Sequence, residues 1–576
     1  MDGETAKSYI QNLLEKAAKD LNFNLSLVTL SVPESRFGDY ASNAGLVGAK
    51  KLGKNPKELA EKIIKELKKG DAKGVCAEIS SAGGFINFHL HQNYLAGFAE
   101  GLVKKIGISQ IGKARKVVFE YSSPNTNKPL HIGHTRNDVY GLACINLLKA
   151  LGYNVISCEI INDRGIHIMK SVLMYIKNGE GKTPESENIK PDHFVGKFYL
   201  MFSEQASKSE QAEKQLLLEA QELLQKWEAG DKDLRKLWKQ MNDWWYEGVK
   251  ATYEREGSYF DEVDYESEIY DKGRDLVLDG VKQGVFTKEA DGSVAVDLSA
   301  DSLDKKYLLR KDGTTLYITQ DMYLWHMRDE KHHPELALVT TSAEQAYHFR
   351  VLKRIFESLK YSWAQNFKHL PYEHVFLGHD KMSSRAGNTI SADDLLIMIK
   401  EKVKTAMAGL QKIKQSSTND ELVEQVAFAA IKYGYLKYEP NTRIYFDVDQ
   451  TIALEGNTGP YLQYAYSRIQ SIIKKAGNIN ASKPEKLTKP EELALMRHLL
   501  HYSETIEHAG KEYKPNLLCN YLYELAAKFN AFYSHVPVIA AESDELKHQR
   551  LTLLTAVGNV LHHGLNILGI AAPEEM

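Results

Sequence analysis

Residues 117–150 read VVFEYSSPNTNKPLHIGHTRNDVYGLACINLLKA, and this stretch decides the fold. Val117–Tyr121 is a short apolar, β-branched and aromatic run of the kind that forms a buried strand. Pro124, Asn125, Asn127 and Pro129 keep the next segment irregular. Val139, Leu142, Ala143, Leu147 and Ala150 then share one face at helical spacing, and Gly152 marks the stop. His131-Ile132-Gly133-His134 therefore sits where the carboxyl end of a strand turns into a helix N-terminus, the place where open parallel sheets bind ligands. Backbone amides and the positive end of the helix dipole favour phosphate there. Gly133, lacking a Cβ, would let an adenine ring lie against the backbone, and His131 and His134 can donate to phosphate oxygens. Four such residues also arise by chance, so a second signature is needed.

It comes 250 residues after His131, where Lys381-Met382-Ser383-Ser384 follows the apolar run Val375-Phe376-Leu377-Gly378. Alone, residues 381–384 read as a polar surface turn. Together the two motifs resemble those of class I aminoacyl-tRNA synthetases. The resemblance implies that both flank ATP, with His131, Gly133, His134, Lys381, Met382, Ser383 and Ser384 as the ATP-binding set. It also implies the catalytic roles: His131 and His134 stabilise the α-phosphate while an amino-acid carboxylate attacks, and Lys381 neutralises the departing pyrophosphate. Such displacement asks the protein for positioning and positive charge, and needs no covalent nucleophile.

At 576 residues and 43% hydrophobic content the chain is too long for one core and rich enough to build three or more units. Its start, Met1-Asp2-Gly3-Glu4, has no basic leader pattern, and no apolar run approaches membrane-spanning length, so a cytoplasmic protein with no membrane partner is expected. Cys76, Cys144, Cys158 and Cys519 are scattered and suggest neither disulfides nor a zinc site. With a net charge of −3, contact with RNA must rest on local basic patches.

Residues 1 to about 108 read as a small α/β unit. Its clearest helix begins at Asn55-Pro56, carries Leu59, Ile63, Ile64 and Leu67 on one face, and ends at Gly70 among many lysines, for which a solvated helix face is preferred over contact with RNA. Phe37-Gly38-Asp39-Tyr40-Ala41-Ser42-Asn43 and Gly84-Phe85-Ile86-Asn87-Phe88 resemble the N-terminal module of arginyl-tRNA synthetases, which touches the elbow of the tRNA. Residues 109–405 are expected to form the Rossmann-like catalytic domain. A second strand, Val155–Ile161, leads into Asn162-Asp163-Arg164-Gly165, where most family members have tryptophan in place of Arg164. From about 170 to 300 the pattern is helical and charged, an insertion whose Trp227, Trp238, Trp244 and Trp245 are expected to pack a helical subdomain.

The stretch Leu309–Asp321 shows a turn at Asp312-Gly313 flanked by strand-like runs. The family resemblance makes Tyr317 and Asp321, with Asn125, Glu266 and Gln345, the arginine-binding set. The chemistry suits it, because a guanidinium presents donors in a rigid planar fork that carboxylates meet in plane and an aromatic ring can cover. Without the resemblance, Glu266 and Asp321 would read as surface carboxylates. Residues 406–576 read as all helical except for an irregular stretch around Ile444–Asp447. Glu455–Ala465, Leu517–Tyr533 and the C-terminal tail resemble the helical anticodon-binding domain of the same family, with Pro460 in the first turn of a helix.

The expected fold is therefore α/β: a Rossmann-like parallel-sheet catalytic domain with a helical insertion, a small α/β N-terminal domain and an all-α C-terminal domain. The chain is identified as a member of the arginyl-tRNA synthetases along nearly its full length. That implies ATP-dependent activation of L-arginine, dependent on bound tRNA, and transfer to the 3′-terminal ribose of tRNA(Arg). Magnesium is inferred from the ATP chemistry alone, no protein metal ligands are assigned, and a monomer is expected. A cysteinyl enzyme would bring zinc ligands at Cys/His spacing, and an editing enzyme a large extra domain. A non-catalytic tRNA-binding relative is the contrasting class, against which the intact His131, His134 and Lys381 speak.

Overall fold

The computed structural model describes residues 6–24, 26–378, 390–411, 419–477 and 482–576. Lys116–Glu120 (β1), Asn154–Ile161 (β2), Glu262–Tyr265 (β3), Leu336–Ser342 (β4) and Phe367–Tyr372 (β5) make one parallel sheet in the order β5-β4-β1-β2-β3. Val117 lies opposite Val155 on one side and Leu336 on the other, and Val117, Val118 and Phe119 are wholly buried, as a central strand with helices on both faces requires. The chain steps from β1 outward to β3, then crosses to β4 on the other side of β1. The carboxyl ends of β1 and β4 thus face a crevice at a point where strand order reverses.

Ile132–Ala150 (α1) leaves that crevice and runs through the middle of the molecule. Gly141 allows it to lie close on the sheet, since a Cβ there would meet Tyr121 Cβ at 2.6 Å. The apolar face expected of α1 is only part of what is buried. Arg136, Asn137 and Asp138 are buried too, because the C-terminal helices cover the side away from the sheet. Two of them donate to backbone carbonyls: Arg136 to those of Pro440 and Thr442 at 2.8 and 3.0 Å, and Asn137 to those of Ser122 and Thr340 at 3.2 Å, while both oxygens of the Asp138 carboxylate are buried without a hydrogen-bond partner among the described residues.

The helical insertion includes Pro191–Ala206 (α2) and Lys232–Glu256 (α3). Trp227, Trp244 and Trp245 are buried in it, and two indoles reach outward: Trp245 Nε1 donates to the Lys128 carbonyl at 2.8 Å and Trp238 Nε1 to that of Asp163 at 2.7 Å. The insertion ends earlier than the expected 300. Helix α3 stops at Gly257 (φ 76°), and Glu262–Tyr265 returns to the parallel sheet as β3, an edge strand of four residues too short to announce itself in the sequence.

A second difference concerns Leu316–Asp321. The strand-like run beyond the Asp312-Gly313 turn is the start of a helix, Tyr317–His332 (α4), so Tyr317, Asp321 and Arg328 fall on one helical face at spacings of four and seven. Tertiary packing overrides the β-branched local signal here, with Trp325 of α4 buried against Trp363 and Phe367.

Beyond β5, Val375–Leu377 (β6) leads to residues 379–389, and Ala392–Gln411 (α5) and Asp420–Leu436 (α6) follow. The stretch expected to be irregular is Ile444–Phe446 (β7), which pairs in parallel with β6, Phe376 opposite Tyr445. This pairing crosses the boundary expected at 405/406. A three-residue strand whose partner lies about 70 positions away leaves no local periodicity to detect. Gly459–Ala476 (α7) starts with Pro460 in its first turn under a Thr458 cap, and Asp544–Ile567 (α8) is the last helix. Ahead of the sheet, helices Ala44–Leu52 and Pro56–Gly70 pack on a four-stranded antiparallel sheet; Ala6–Asp20 comes before them, against Pro56–Gly70, and Gln92–Lys104 follows, against α8. Asn55 caps Pro56–Gly70 by accepting from Lys57 N at 2.9 Å, and the lysines around it are exposed. Among the described residues no helix is long and apolar enough to cross a membrane.

Arg328 ties α4 to the sheet: it is 1% exposed, pairs with Glu120 at the end of β1, and lies 2.9 Å from Asp264 of β3. Replacing it with methionine would leave two carboxylates in a cavity without a counter-charge, and Arg328→Met is expected to cost about 3–5 kcal/mol in unfolding free energy. Urea unfolding of parent and variant checks this, and an unchanged midpoint would contradict the buried triad.

Candidate active site

The N-terminus of α1 presents two histidines with the same hydrogen-bonding logic. His131 is the helix cap, and its Nδ1 accepts from Gly133 N at 3.1 Å; His134 Nδ1 accepts from His131 N at 3.1 Å. The rings stack with centroids 3.8 Å apart at 21°. An Nδ1 that accepts an N–H carries no proton, so each neutral ring holds its hydrogen on Nε2, facing away from the helix. Burial, with the charge of Lys128 second, pushes His131 down to about 3. Burial also holds His134 well below the ordinary range, helped by His131 and Lys128. The half-buried Gly133 lies between them, so the turn offers neutral donors and free backbone at the positive end of a helix dipole.

The chain downstream of residue 389 is pinned to the same turn. His131 bridges Ser391, Ile132 N donates to Ile390 O at 3.4 Å, and Ala392 N donates to Leu130 O at 2.9 Å. Lys381, Met382, Ser383 and Ser384 lie outside the described residues. A cavity of about 390 Å³ opens beside His131, lined by Lys128, His193, Lys197 and Ser391. Lys128 is a functional candidate that the sequence reading passed over. Its only signal was a cation three positions before His131, and the structure shows the Trp245 indole holding its carbonyl while burial lowers its ammonium pKa.

Across the crevice, the other residues assigned from the sequence gather at the carboxyl ends of the parallel strands. Asn125 follows β1, is exposed, and bridges Asn162 beyond β2. Glu266 follows β3 directly, and burial pushes its carboxyl up to about 7 although Arg164 opposes the shift. Tyr317, 59% exposed, and Asp321 stand one turn apart on α4. The charge of Asp321, then burial, raises the Tyr317 phenol well above its usual range, which places the two in one electrostatic neighbourhood with Glu266 and Glu120. Gln345 is exposed in the short turn after β4.

Within this neighbourhood Arg328 is engaged by Glu120 and Asp264, and Arg164 by Glu228 and the Tyr270 ring, 3.9 Å away. No ion pair is made by Glu266 among the described residues, and Asp321 is paired with His348. The sequence reading also passed over His348. Its Nε2 donates to Asp321 Oδ2 at 2.5 Å and its ring lies 5.3 Å from that of Tyr317, fixing both from the next helix. A histidine three positions after Gln345 was the available sign, and only the packing of that helix against α4 gives it meaning.

Comparison with known proteins adds to this geometry. The family model described as tRNA synthetases class I (R), catalytic domain, matches residues 99–448. Arginyl tRNA synthetase N terminal domain matches 4–90, and DALR anticodon binding domain matches 462–576. The arginine–tRNA ligase of Parabacteroides distasonis is 36% identical over 546 residues, 91% of each chain. That of Treponema denticola is 38% identical over 567 residues, 94% of each. Among solved structures, Thermus thermophilus arginyl-tRNA synthetase superposes with a TM-score of 0.87 at 24% identity, covering 99% of this chain and 100% of its own. Plasmodium falciparum arginyl-tRNA synthetase gives 0.80 at 21%, covering 98% of each. At these identities the two structures speak for the fold.

The histidine geometry has a pH consequence. Unfolded histidine titrates near its ordinary value of about 6.5, whereas His131 folded titrates at about 3 and His134 also lower than usual. The unfolded chain therefore binds protons first as the pH falls. Stability from this pair is present above pH 6.5 and is lost as pH drops from there toward 3. Long-range ¹H–¹⁵N correlation of labelled histidines is expected to show both rings as neutral Nε2–H tautomers down to about pH 5. An imidazolium pattern for either ring at that pH would contradict the assignment.

Proposed function

Because this chain belongs to the arginyl-tRNA synthetase family and is an arginine–tRNA ligase, we propose that the crevice between α1 and α4 is where L-arginine meets ATP. The arginine carboxylate oxygen attacks the α-phosphorus of ATP, the bond from that phosphorus to the bridging oxygen breaks, and pyrophosphate leaves with the electron pair. A hydroxyl of the terminal ribose of tRNA(Arg) then attacks the carbonyl of the adenylate and AMP departs. The observation that carries this reading is the pairing of opposite demands across one crevice: donors and a helix N-terminus on the His131 side, carboxylates beside an aromatic ring on the Asp321 side.

His131 and His134 would donate through Nε2 to the α-phosphate oxygens, where negative charge builds as the bond forms. Being neutral, they add no charge that the ground state could already exploit, which favours stabilisation that grows toward the transition state. Gly133 would border the adenine, Lys128 would add charge near the phosphates, and Lys381, with Met382, Ser383 and Ser384, would meet the leaving pyrophosphate. Magnesium would arrive on the ATP phosphates. The Asp192, His193 and Asp393 cluster, which has ligand spacing, already closes on Lys190 Nζ, 2.6 Å from Asp393. Glu266, Asp321 and Tyr317 would take the guanidinium, Asn125 the α-amino and carboxylate end, and Gln345 a further contact to the arginine. A cytoplasmic, monomeric enzyme is carried over from the family.

Asp321→Asn keeps size and removes charge, so kcat/KM for arginine is expected to fall by the equivalent of about 1.5–3 kcal/mol, the range of a charge-assisted hydrogen bond. A value equal to the parent's would remove Asp321 from the specificity site. Arginine-dependent pyrophosphate exchange tests the whole proposal. It is expected to require cognate tRNA, because modules at both ends of the chain can grip the tRNA while the catalytic residues lie between them. Full exchange without tRNA would reduce those modules to docking surfaces, and none with it would refute the proposed site.

A further inference from the structure

The loop that closes β2, Asn162-Asp163-Arg164-Gly165, holds none of the roles assigned above, yet it bonds to the loops on both sides of it. Asn162 Nδ2 donates to the carbonyls of Ser123 and Pro124 at 3.1 and 3.3 Å. Along the backbone, Asn162 N donates to Pro124 O at 3.0 Å and Thr126 N to Asn162 O at 3.3 Å. Asn125 is thus framed before and after by bonds to one residue. Ser122 and Ser123 have φ of 72° and 63°, a left-handed course that serine does not favour, so the loop after β1 depends on such outside bonds to keep its path.

Asp163 reaches the other way. The register of β2 on β3 sets Ile161 opposite Tyr265, and two residues further on Asp163, 2% exposed, meets Ser267. Ser267 N donates to Asp163 Oδ1 at 2.8 Å and Ser267 Oγ to Oδ2 at 2.7 Å. Ser267 is the second residue of the single helical turn Glu266–Ile269, and among the described residues Tyr265, which precedes that turn, gives it no side-chain cap. Asp163 supplies the cap from the neighbouring strand, a carboxylate being a favoured acceptor for the N–H groups of a helix start. Two groups of α3 fix Asp163 in turn: Tyr246 Oη donates to its Oδ2 at 3.3 Å and Trp238 Nε1 to its carbonyl at 2.7 Å. Arg164, paired with Glu228, lies 3.9 Å over the ring of Tyr270. Tyr270 N donates to Glu266 O at 3.0 Å, and Tyr270 O accepts from Thr315 Oγ1 at 2.7 Å, two residues before Tyr317.

We propose that Asn162 and Asp163 are specificity-determining positioning residues: they hold Asn125 and Glu266 at a fixed separation and so set the length of the amino acid that the crevice accepts. The proposal rests on the reading of Asn125 and Glu266 as contacts for the two ends of arginine. Those contacts come from the loops after β1 and β3, which are not neighbours in the sheet, and β2 lies between them. Two strand spacings amount to about 10 Å, the scale of an extended arginine from its α-groups to its guanidinium. The loop after β2 is bonded to both, so it serves as the spacer. A cation one methylene longer or shorter then leaves the contact at one end unmade, and it is rejected by an unmatched polar group as well as by the weaker discrimination of a packed methylene. A loop that merely joined β2 to the next helix would need no side-chain bonds to both neighbours.

The test is pyrophosphate exchange by the full-length protein with tRNA, supplied with arginine, with homoarginine, one methylene longer, or with 2-amino-4-guanidinobutyrate, one methylene shorter. The parent is compared with Ser267→Ala, Asn162→Ala, Asp163→Ala, Asp163→Asn and Glu266→Gln, and is expected to favour arginine over both analogues. Ser267→Ala and Asn162→Ala are each expected to cut the preference in kcat/KM for arginine over homoarginine about 10-fold, mainly through a raised KM for arginine, with KM for ATP within about twofold of the parent's. Asp163→Ala, which leaves three donors without their acceptor, should go further. Asp163→Asn should restore most of the preference, since its amide still accepts from Ser267 N and can donate to Ser267 Oγ. A merely structural loop predicts a uniform fall for all three amino acids with the ratios unchanged, and that result in Ser267→Ala and Asn162→Ala would overturn the proposal even if Asp163→Ala does not fold. A parent that takes homoarginine as readily as arginine would overturn it as well. Glu266→Gln separates the two readings: equal to the parent with arginine, it removes the arginine assignment and the spacer together, whereas a damaged Glu266→Gln beside unchanged ratios in the loop variants removes the spacer alone.

Discussion

Helix α1 is buried along nearly its whole length, and its first turn must nevertheless stay open to a ligand. A helix enclosed on every side usually solves its surroundings with apolar residues all round. This one carries Arg136, Asn137, Tyr140 and Asn146, each of which would be costly to bury unpartnered, and Asp138, whose buried carboxylate has no hydrogen-bond partner among the described residues. Arg136 is met by carbonyls beside β7, Asn137 by carbonyls at the ends of β1 and β4, Tyr140 by the Tyr513 carbonyl and Asn146 by the end of α8. The units of the chain are consequently assembled around one rod through its polar groups, and any shift between them is felt by the rod.

The two walls of the crevice are tuned in opposite senses by the same force. Desolvation strips charge from His131 and His134, leaving donors that carry no net charge at the N-terminus of α1. The same force raises Glu266, a carboxyl that would gain from a guanidinium in the proposed arginine site, since a cation beside it would restore the stabilisation that burial removed. His348 and Arg328 then fix the acidic wall. One orients Asp321 and the other locks α4 to β1 and β3, so the acceptors are held before any ligand arrives. Under the proposed assignment lysine, a compact charge without a planar fork, would leave part of that arrangement unmatched, which is a physical basis for discrimination by unpaired polar groups.

What could be read from the sequence had a local cause. The strand–turn–helix around His131, the Asn55-Pro56 cap and the Pro460 helix start each declare themselves within a few residues, and resemblance supplied the positions of Glu266, Tyr317 and Asp321. What could not be read depends on partners far along the chain. The β7 strand exists only because β6 lies beside it, and β3 is four residues closing an edge. Helix α4, which begins at Tyr317 among β-branched and aromatic letters, is held by Trp325 packing against Trp363 and Phe367. Lys128 and His348 are ordinary letters until Trp245 and Asp321 are brought to them. The buried Glu256 and Lys432, both charged, would be placed on the surface by any reading of composition.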